Sequence, residues 1–420
     1  MRNLIILSTV VSMAIACKMD SSESSTGDIT VVPIDNPIEG NSSLPRLYSS
    51  GEEVYLSLVT RTDSMNILRF VTYKDSKWNA IQGVAKGSDW FVNWADFPVI
   101  SKNEDRLVLT YLQKSDTATY AYDIKVIHRM PVDRENIAFG PAGFLEEKIF
   151  TLHDDSTKTE HGFASIVPYA EKSFFVTWLD GRNTAGSNQD DHSDHGSGAM
   201  TIRGAVIDSI GEITREVELD ARVCDCCQTS ATITDNGPLV AYRDRTEEEI
   251  RDISVVRQVN GEWLEPQTIG HDNWNIAGCP VNGPSVDANK NTVGLAWFTA
   301  TKGEGEVNVS FSVDNGATFQ SPIRLDSGNA TGRVDIVMLS ATEAAVLWIE
   351  PDGKDEVIQL VKITSAGNKG AVVTVAKTSA ERSSGFPQLE KFGDRLMMAW
   401  TEVSGETSAI KTATLSLDKL

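Results

Sequence analysis

The sequence predicts an all-β chain folded as a β-propeller of four-stranded blades, most simply seven of them. Two observations carry this. Short apolar runs ending in an aromatic recur along the chain: Leu107-Val-Leu-Thr-Tyr111, Phe174-Phe-Val-Thr-Trp178, Pro238-Leu-Val-Ala-Tyr242, Val293-Gly-Leu-Ala-Trp297, Ala344-Ala-Val-Leu-Trp348 and Leu396-Met-Met-Ala-Trp400. Val54-Tyr-Leu-Ser-Leu58 is an earlier, weaker copy. The closing aromatics stand 51 to 67 residues apart, the length of chain one blade needs. The runs are also about five residues long, β-branched and bounded by Gly, Asp and Asn, which disfavours helix.

Taken in order, each run is the second strand of a blade. The last copy is incomplete: after Trp400 only one further strand, around residues 409–417, precedes the end of the sequence. Asp28-Ile-Thr-Val-Val-Pro33, ahead of the first copy, supplies the missing outermost strand and covers an exposed sheet edge. A six-bladed arrangement, with one copy as an edge elaboration, is the alternative. The propeller accounts for residues 28–420 as one domain.

Residues 1–27 read differently. Arg2 is a basic start, residues 4–16 are apolar but too short to span a bilayer, and Ala14-Ile15-Ala16 leads into Cys17. This resembles a bacterial lipoprotein signal. The resemblance implies removal of residues 1–16, acylation of Cys17, and residues 17–27 as a polar, serine-rich tether. The expected location is extracytoplasmic, periplasmic or cell-surface, with the membrane reached through the acyl anchor. A formal charge of −21 argues against nucleic acid as a partner.

Blade geometry sorts the loops. Those entering an innermost strand, and those joining second to third strands, share one face around the channel. That face collects Asn93-Trp94-Ala95-Asp96, Glu160-His161-Gly162-Phe163, Cys224-Asp225-Cys226-Cys227, Gly278-Cys279-Pro280, Gly332-Arg333-Val334-Asp335 and Ser384-Gly385-Phe386. It also collects Asp180-Gly181-Arg182 and Arg243-Asp244-Arg245, with Arg251-Asp252 beyond. It is the expected functional face.

Four of the five cysteines lie there. Close spacing strains a Cys226–Cys227 or Cys224–Cys226 bridge, so Cys224–Cys227 with Cys226–Cys279 is the most relaxed disulfide scheme. A soft-metal site of Cys224, Cys226, Cys227 and Cys279, joined by His161, is the competing reading; thiolates with imidazole favour copper(I) or zinc(II). Redox-active thiols are the third. His271 reads as a polar loop residue. Asp190-Asp191-His192-Ser193-Asp194-His195, in a long loop, reads as a solvated acidic segment or a weak metal site.

The opposite face carries Phe311-Ser312-Val313-Asp314-Asn315-Gly316-Ala317-Thr318-Phe319. This resembles the Asp-box of the sialidase-like (BNR-repeat) β-propellers, a structural turn. The resemblance implies a glycan ligand and, for an enzyme, an exo-sialidase-like glycoside hydrolase. Such a hydrolase clamps a substrate carboxylate with arginines, here Arg243, Arg245 and Arg333, with Arg182 and Arg251 nearby. It uses an acid, here Asp96 (or Asp252, Asp335), and a tyrosine nucleophile, here Tyr242. The chain departs from those enzymes: an Arg-Ile-Pro segment is absent, the repeats number seven against six, and they lack a cysteine-rich mouth. A non-catalytic glycan- or protein-binding propeller is the remaining alternative.

Overall fold

The computed structural model describes residues 29–51, 53–131, 145–185 and 198–420. These form seven antiparallel sheets in a ring, each with four strand positions. Cys17, the segment around it and the 190–195 loop lie outside the described residues. The second strands are Val54–Arg61, Arg106–Lys114, Ser173–Asp180, Gly237–Arg243, Thr292–Thr299, Glu343–Asp352 and Arg395–Ser404, one for each copy read from the sequence. Apart from short 3-10 turns there is no helix among the described residues, so none is long and apolar enough to cross a membrane.

Ring closure uses the N-terminal segment. Val32–Ile34 pairs antiparallel with the third strand of blade 7, Val32 opposite Thr414 and Ile34 opposite Thr412. Both ends of the propeller sequence therefore share one sheet, and the ring opens only by breaking that pairing.

Adjacent blades are glued by apolar side chains between their sheets. The repeated aromatic explains itself here. Trp178, Trp297 and Trp348 are fully buried, and each indole N–H finds a carboxylate: Asp180 at 2.9 Å, Asp272 at 2.8 Å and Glu350 at 3.1 Å. The ring supplies apolar area and the carboxylate removes the cost of burying its donor. Truncating one such side chain costs about 3–5 kcal/mol.

Around the channel the inner strands do not pair backbone to backbone. Polar side chains bridge them instead. Ser165 accepts the amide of Ala231, Ser230 that of Val286, Ser285 that of Ile336, and Asp335 that of Leu389. From blade 3 to blade 6, each blade thus satisfies an amide of the next. This is why Ser and Asp recur on strands whose neighbours are apolar.

The Asp-box turn lies between the third strand (Glu306–Ser312) and fourth strand (Ile323–Arg324) of blade 5, on the face away from the cysteines. Asp314 accepts the amide and hydroxyl of Thr318, and Ser312 accepts the amide of Gly316. Gly316 has φ +75°, and a Cβ there would meet Leu239 at 2.3 Å, so the turn requires glycine. Phe319 packs back on the blade 4–5 core.

Candidate functional site at the channel mouth

The cysteine loop is fixed before its sulfurs are considered. The Cys224 amide donates to the Arg243 carbonyl at 3.0 Å. Gln228 donates to the Ala95 carbonyl at 2.6 Å and accepts the Gly283 amide at 3.0 Å. Thr229 donates to the Phe163 carbonyl at 2.7 Å. Blades 2, 3 and 5 therefore all hold the loop that enters blade 4. Gly283 makes the approach feasible: a Cβ there would lie 2.1 Å from the Gln228 carbonyl oxygen.

That frame brings the sulfurs of Cys224, Cys226 and Cys279 within 4.8 Å of one another. The sulfur of Cys227 is 3.3 Å from that of Cys224. All four are free thiols; the first three in sequence are buried and Cys279 is partly exposed. Arg251, fully buried, donates to the Cys224 sulfur at 3.3 Å. Burial, the strongest single influence, opposes ionisation of Cys224. Hydrogen bonds from the three other thiols and the charge of Arg251 outweigh it and hold that thiol well below its ordinary range. Its neighbours move the other way. Burial and the Cys224 thiolate push Cys227 up to about 12 and Cys226 well up, and the Cys224 thiolate with burial pushes Cys279 up. Of the four sulfurs, Cys224 is the one whose surroundings favour losing its proton first.

His161, expected beside these sulfurs, is engaged elsewhere. Its Nε2 is 3.0 Å from Asp155 Oδ2 and its ring stacks on His153. Its neighbour Glu160 accepts the Tyr122 hydroxyl at 2.6 Å. Both are buried, and burial raises Glu160 well above the carboxylate range. Asp96 lies against this pair: burial pushes it up to about 7, opposed by the Phe163 amide and the Tyr122 hydroxyl. Gly162 is required there, because a Cβ would fall 2.1 Å from Asp96 Oδ2. Tyr122 escaped the sequence reading, since it opens a third strand and no motif marks it.

The structure does not assemble the three arginines into one clamp. Arg243 is 1% exposed, and its guanidinium donates to the carbonyls of Asn282, Arg251 and Phe298 at 2.7–3.0 Å. It lies over the Trp274 ring. Arg245 pairs with Glu249 at 2.7 Å and Asp225 at 3.3 Å. Arg333 donates to Ser384 Oγ at 2.7 Å and the Gly385 carbonyl at 2.9 Å, beside the stacked rings of Trp94 and Phe386. Burial brings Arg333 down to about 10. Tyr242, 1% exposed, donates to Asp220 at 2.6 Å inside the blade 3–4 core, and burial pushes it well up. Asp335 is spent on the Leu389 amide and Asp252 on the amides of Asn273 and Trp274. His271 is an exposed loop residue.

Beside the thiols, between blades 7, 1 and 2, is a cleft of about 540 Å³. Trp94, Phe91, Tyr120, Arg61 and Arg382 line it. Trp94 packs against the same apolar cluster as Cys224, Cys226, Cys227 and Cys279, which puts the cleft next to the sulfurs.

No family model matches this chain, and no curated protein matches it either. Solved structures do. The chain is similar to an ulvan lyase of polysaccharide lyase family PL25, with a TM-score of 0.55, 9% identity, and 92% of this chain and 96% of that one covered. It is similar to the polysaccharide lyase Uly1 at TM-score 0.51, 10% identity and 90% coverage of each chain. The NanB sialidase of Streptococcus pneumoniae aligns at TM-score 0.45 and 12% identity, over 93% of this chain and 71% of that one. At these identities the shared property is the fold alone, a β-propeller.

Proposed function

We propose that this chain is an extracytoplasmic propeller, anchored through an acylated Cys17, whose channel mouth holds a soft metal ion on Cys224, Cys226 and Cys279. One observation carries the reading: sulfurs from two loops of neighbouring blades converge within 4.8 Å while remaining free thiols. Thiolates around a shared ion, each about 2.3 Å from zinc, stand at such separations. Sulfur donors in this number select copper(I) or zinc(II). The surroundings of Cys224 favour its thiolate, so it is the first ligand available, and an ion would replace the protons on the other sulfurs. Arg251 and Arg245 offset the negative charge that accumulates with Asp225.

The test is metal content of protein purified anaerobically under reducing conditions, for wild type and the Cys226→Ser/Cys279→Ser double variant. About one copper or zinc per wild-type chain, lost in the variant, is expected. Two disulfides by mass spectrometry and no bound metal would overturn the reading.

A second reading, glycan binding on the same face, is favoured by the aromatic and arginine-lined cleft beside the thiols. Ring faces stack on sugars and guanidinium forks meet carboxylate or sulfate groups. The ulvan lyase to which the fold is similar has been solved bound to -[GlcA(1-4)Rha3S]-, an acidic glycan. A hydrolase version of this reading gains nothing from Arg243, Arg245 and Arg333, whose donors are already used internally. Affinity electrophoresis in acidic polysaccharide, with Trp94→Ala as control, separates binding from inert passage.

A further inference from the structure

The connection from blade 2 into blade 3, residues 152–160, creates a second polar cluster. It lays His153 flat on His161, ring centroids 3.5 Å apart and planes 7° from parallel. Every ring nitrogen faces oxygen. His161 Nδ1 is 3.2 Å from the Thr159 carbonyl, which only accepts, so that nitrogen carries a proton. His161 Nε2 is 3.0 Å from Asp155 Oδ2, and His153 Nδ1 meets the same oxygen at 2.9 Å. His153 Nε2 is buried without a hydrogen-bond partner, 3.7 Å from Asp123 Oδ1.

A neutral imidazole has one N–H. That of His161 is used on Thr159, which leaves its other lone pair aimed at a carboxylate oxygen. A proton on His161 alone lets it donate to both oxygens, with neutral His153 donating through Nδ1, but leaves His153 Nε2 unpartnered beside Asp123. A divalent cation would engage that nitrogen as well, because a lone pair and a carboxylate are both donors to a metal.

We infer that this pocket is a second metal site, separate from the thiols, for a borderline divalent ion such as zinc(II), on His153, His161, Asp155 and Asp123. Donor atoms of Asp123, His153 and His161 lie within 4.8 Å of one another, as do those of Asp155, His161 and Asp180. Asp180 is the poorest of these ligands: it already accepts the Trp178 indole and the Arg182 guanidinium. Its role is to hold Arg182. Imidazole and carboxylate without sulfur exclude copper(I) as the natural occupant and suit zinc. The surrounding charge favours a cation. Asp123, Asp155 and Asp180 face only Lys125 and Arg182, and Arg182 is shared with Glu216. An ion here would pin the connection that ends at Glu160, and so fix the buried Glu160–Tyr122 pair.

Cobalt(II) titration of the intact chain separates this site from the thiol site, because sulfur ligation gives an intense near-ultraviolet charge-transfer band and nitrogen–oxygen ligation gives only weak visible bands. In the Cys224→Ser/Cys226→Ser/Cys279→Ser variant, one equivalent of cobalt or zinc still binds, with visible bands and no sulfur band. Adding His153→Gln or His161→Gln weakens that binding at least tenfold. If the triple variant does not fold, wild type serves: each His→Gln change removes the sulfur-free component and spares the sulfur band. A folded triple variant that binds neither ion, or sulfur-free binding indifferent to both histidine changes, overturns the site. Loss of the sulfur band alone bears on the thiol reading and leaves this one standing.

Discussion

The cysteines and the arginines of the channel mouth sit on the same face yet differ in what their functional atoms have left to give. The four sulfurs face one another, and their only strong donor from outside the cluster is Arg251. The guanidiniums of Arg243 and Arg333 are spent on backbone carbonyls of neighbouring blades, where they do the work of mortar. A residue type suited to recognition becomes structural when the fold surrounds it with acceptors. A residue type that is often inert becomes a candidate site when the fold gathers several that mostly face one another.

The largest effect that would sharpen this contrast is on stability. Arg243→Ala leaves the carbonyls of Asn282, Arg251 and Phe298 without a donor and removes the contact with Trp274. A loss of roughly 3 kcal/mol or more is expected in denaturant unfolding. A variant that unfolds like wild type but loses ligand binding would break the contrast, since Arg243 would then act as a recognition residue.

Arg251 joins the two sets. Arg251→Met removes the cation beside Cys224 while keeping length and packing. Without that charge the Cys224 thiol rises, so the fraction ionised at neutral pH falls. The pH profile of thiol alkylation in metal-free protein is expected to move to higher pH by roughly one unit. An unmoved profile would mean the other thiols alone hold the thiolate.

Tyr242→Phe is the smallest. It deletes one buried hydrogen bond to Asp220, about 1–2 kcal/mol, and should leave metal and glycan binding unchanged. Abolished turnover of any glycan substrate without loss of stability would restore Tyr242 as a candidate nucleophile.

Much of the architecture was legible because it rests on local pattern. The aromatic-terminated runs mark second strands, and Trp178, Trp297 and Trp348 are buried where the repeat puts them. The closing segment was visible because a lone three-strand blade implies an unpaired edge, and Val32–Ile34 fills it. The Asp-box was legible because its hydrogen bonds run over a few residues. The gathering of Cys224, Cys226 and Cys279 followed from loop placement alone, since consecutive blades put consecutive loops side by side.

What failed to show was the direction in which each side chain turns. His161 was expected among the sulfurs because it opens the adjacent blade, but Asp155, six residues earlier, accepts its Nε2 and turns it towards His153. His153 and Tyr122 carry no motif and gain their meaning from neighbours up to 38 residues away. The sequence by itself determined the repeat, the closure and the face on which chemistry-bearing residues gather, because periodicity and turn chemistry are short-range. Only the tertiary structure decided which of those residues keep free valence. Hydrogen-bond saturation depends on acceptors that other blades deliver, and no spacing along the chain records it.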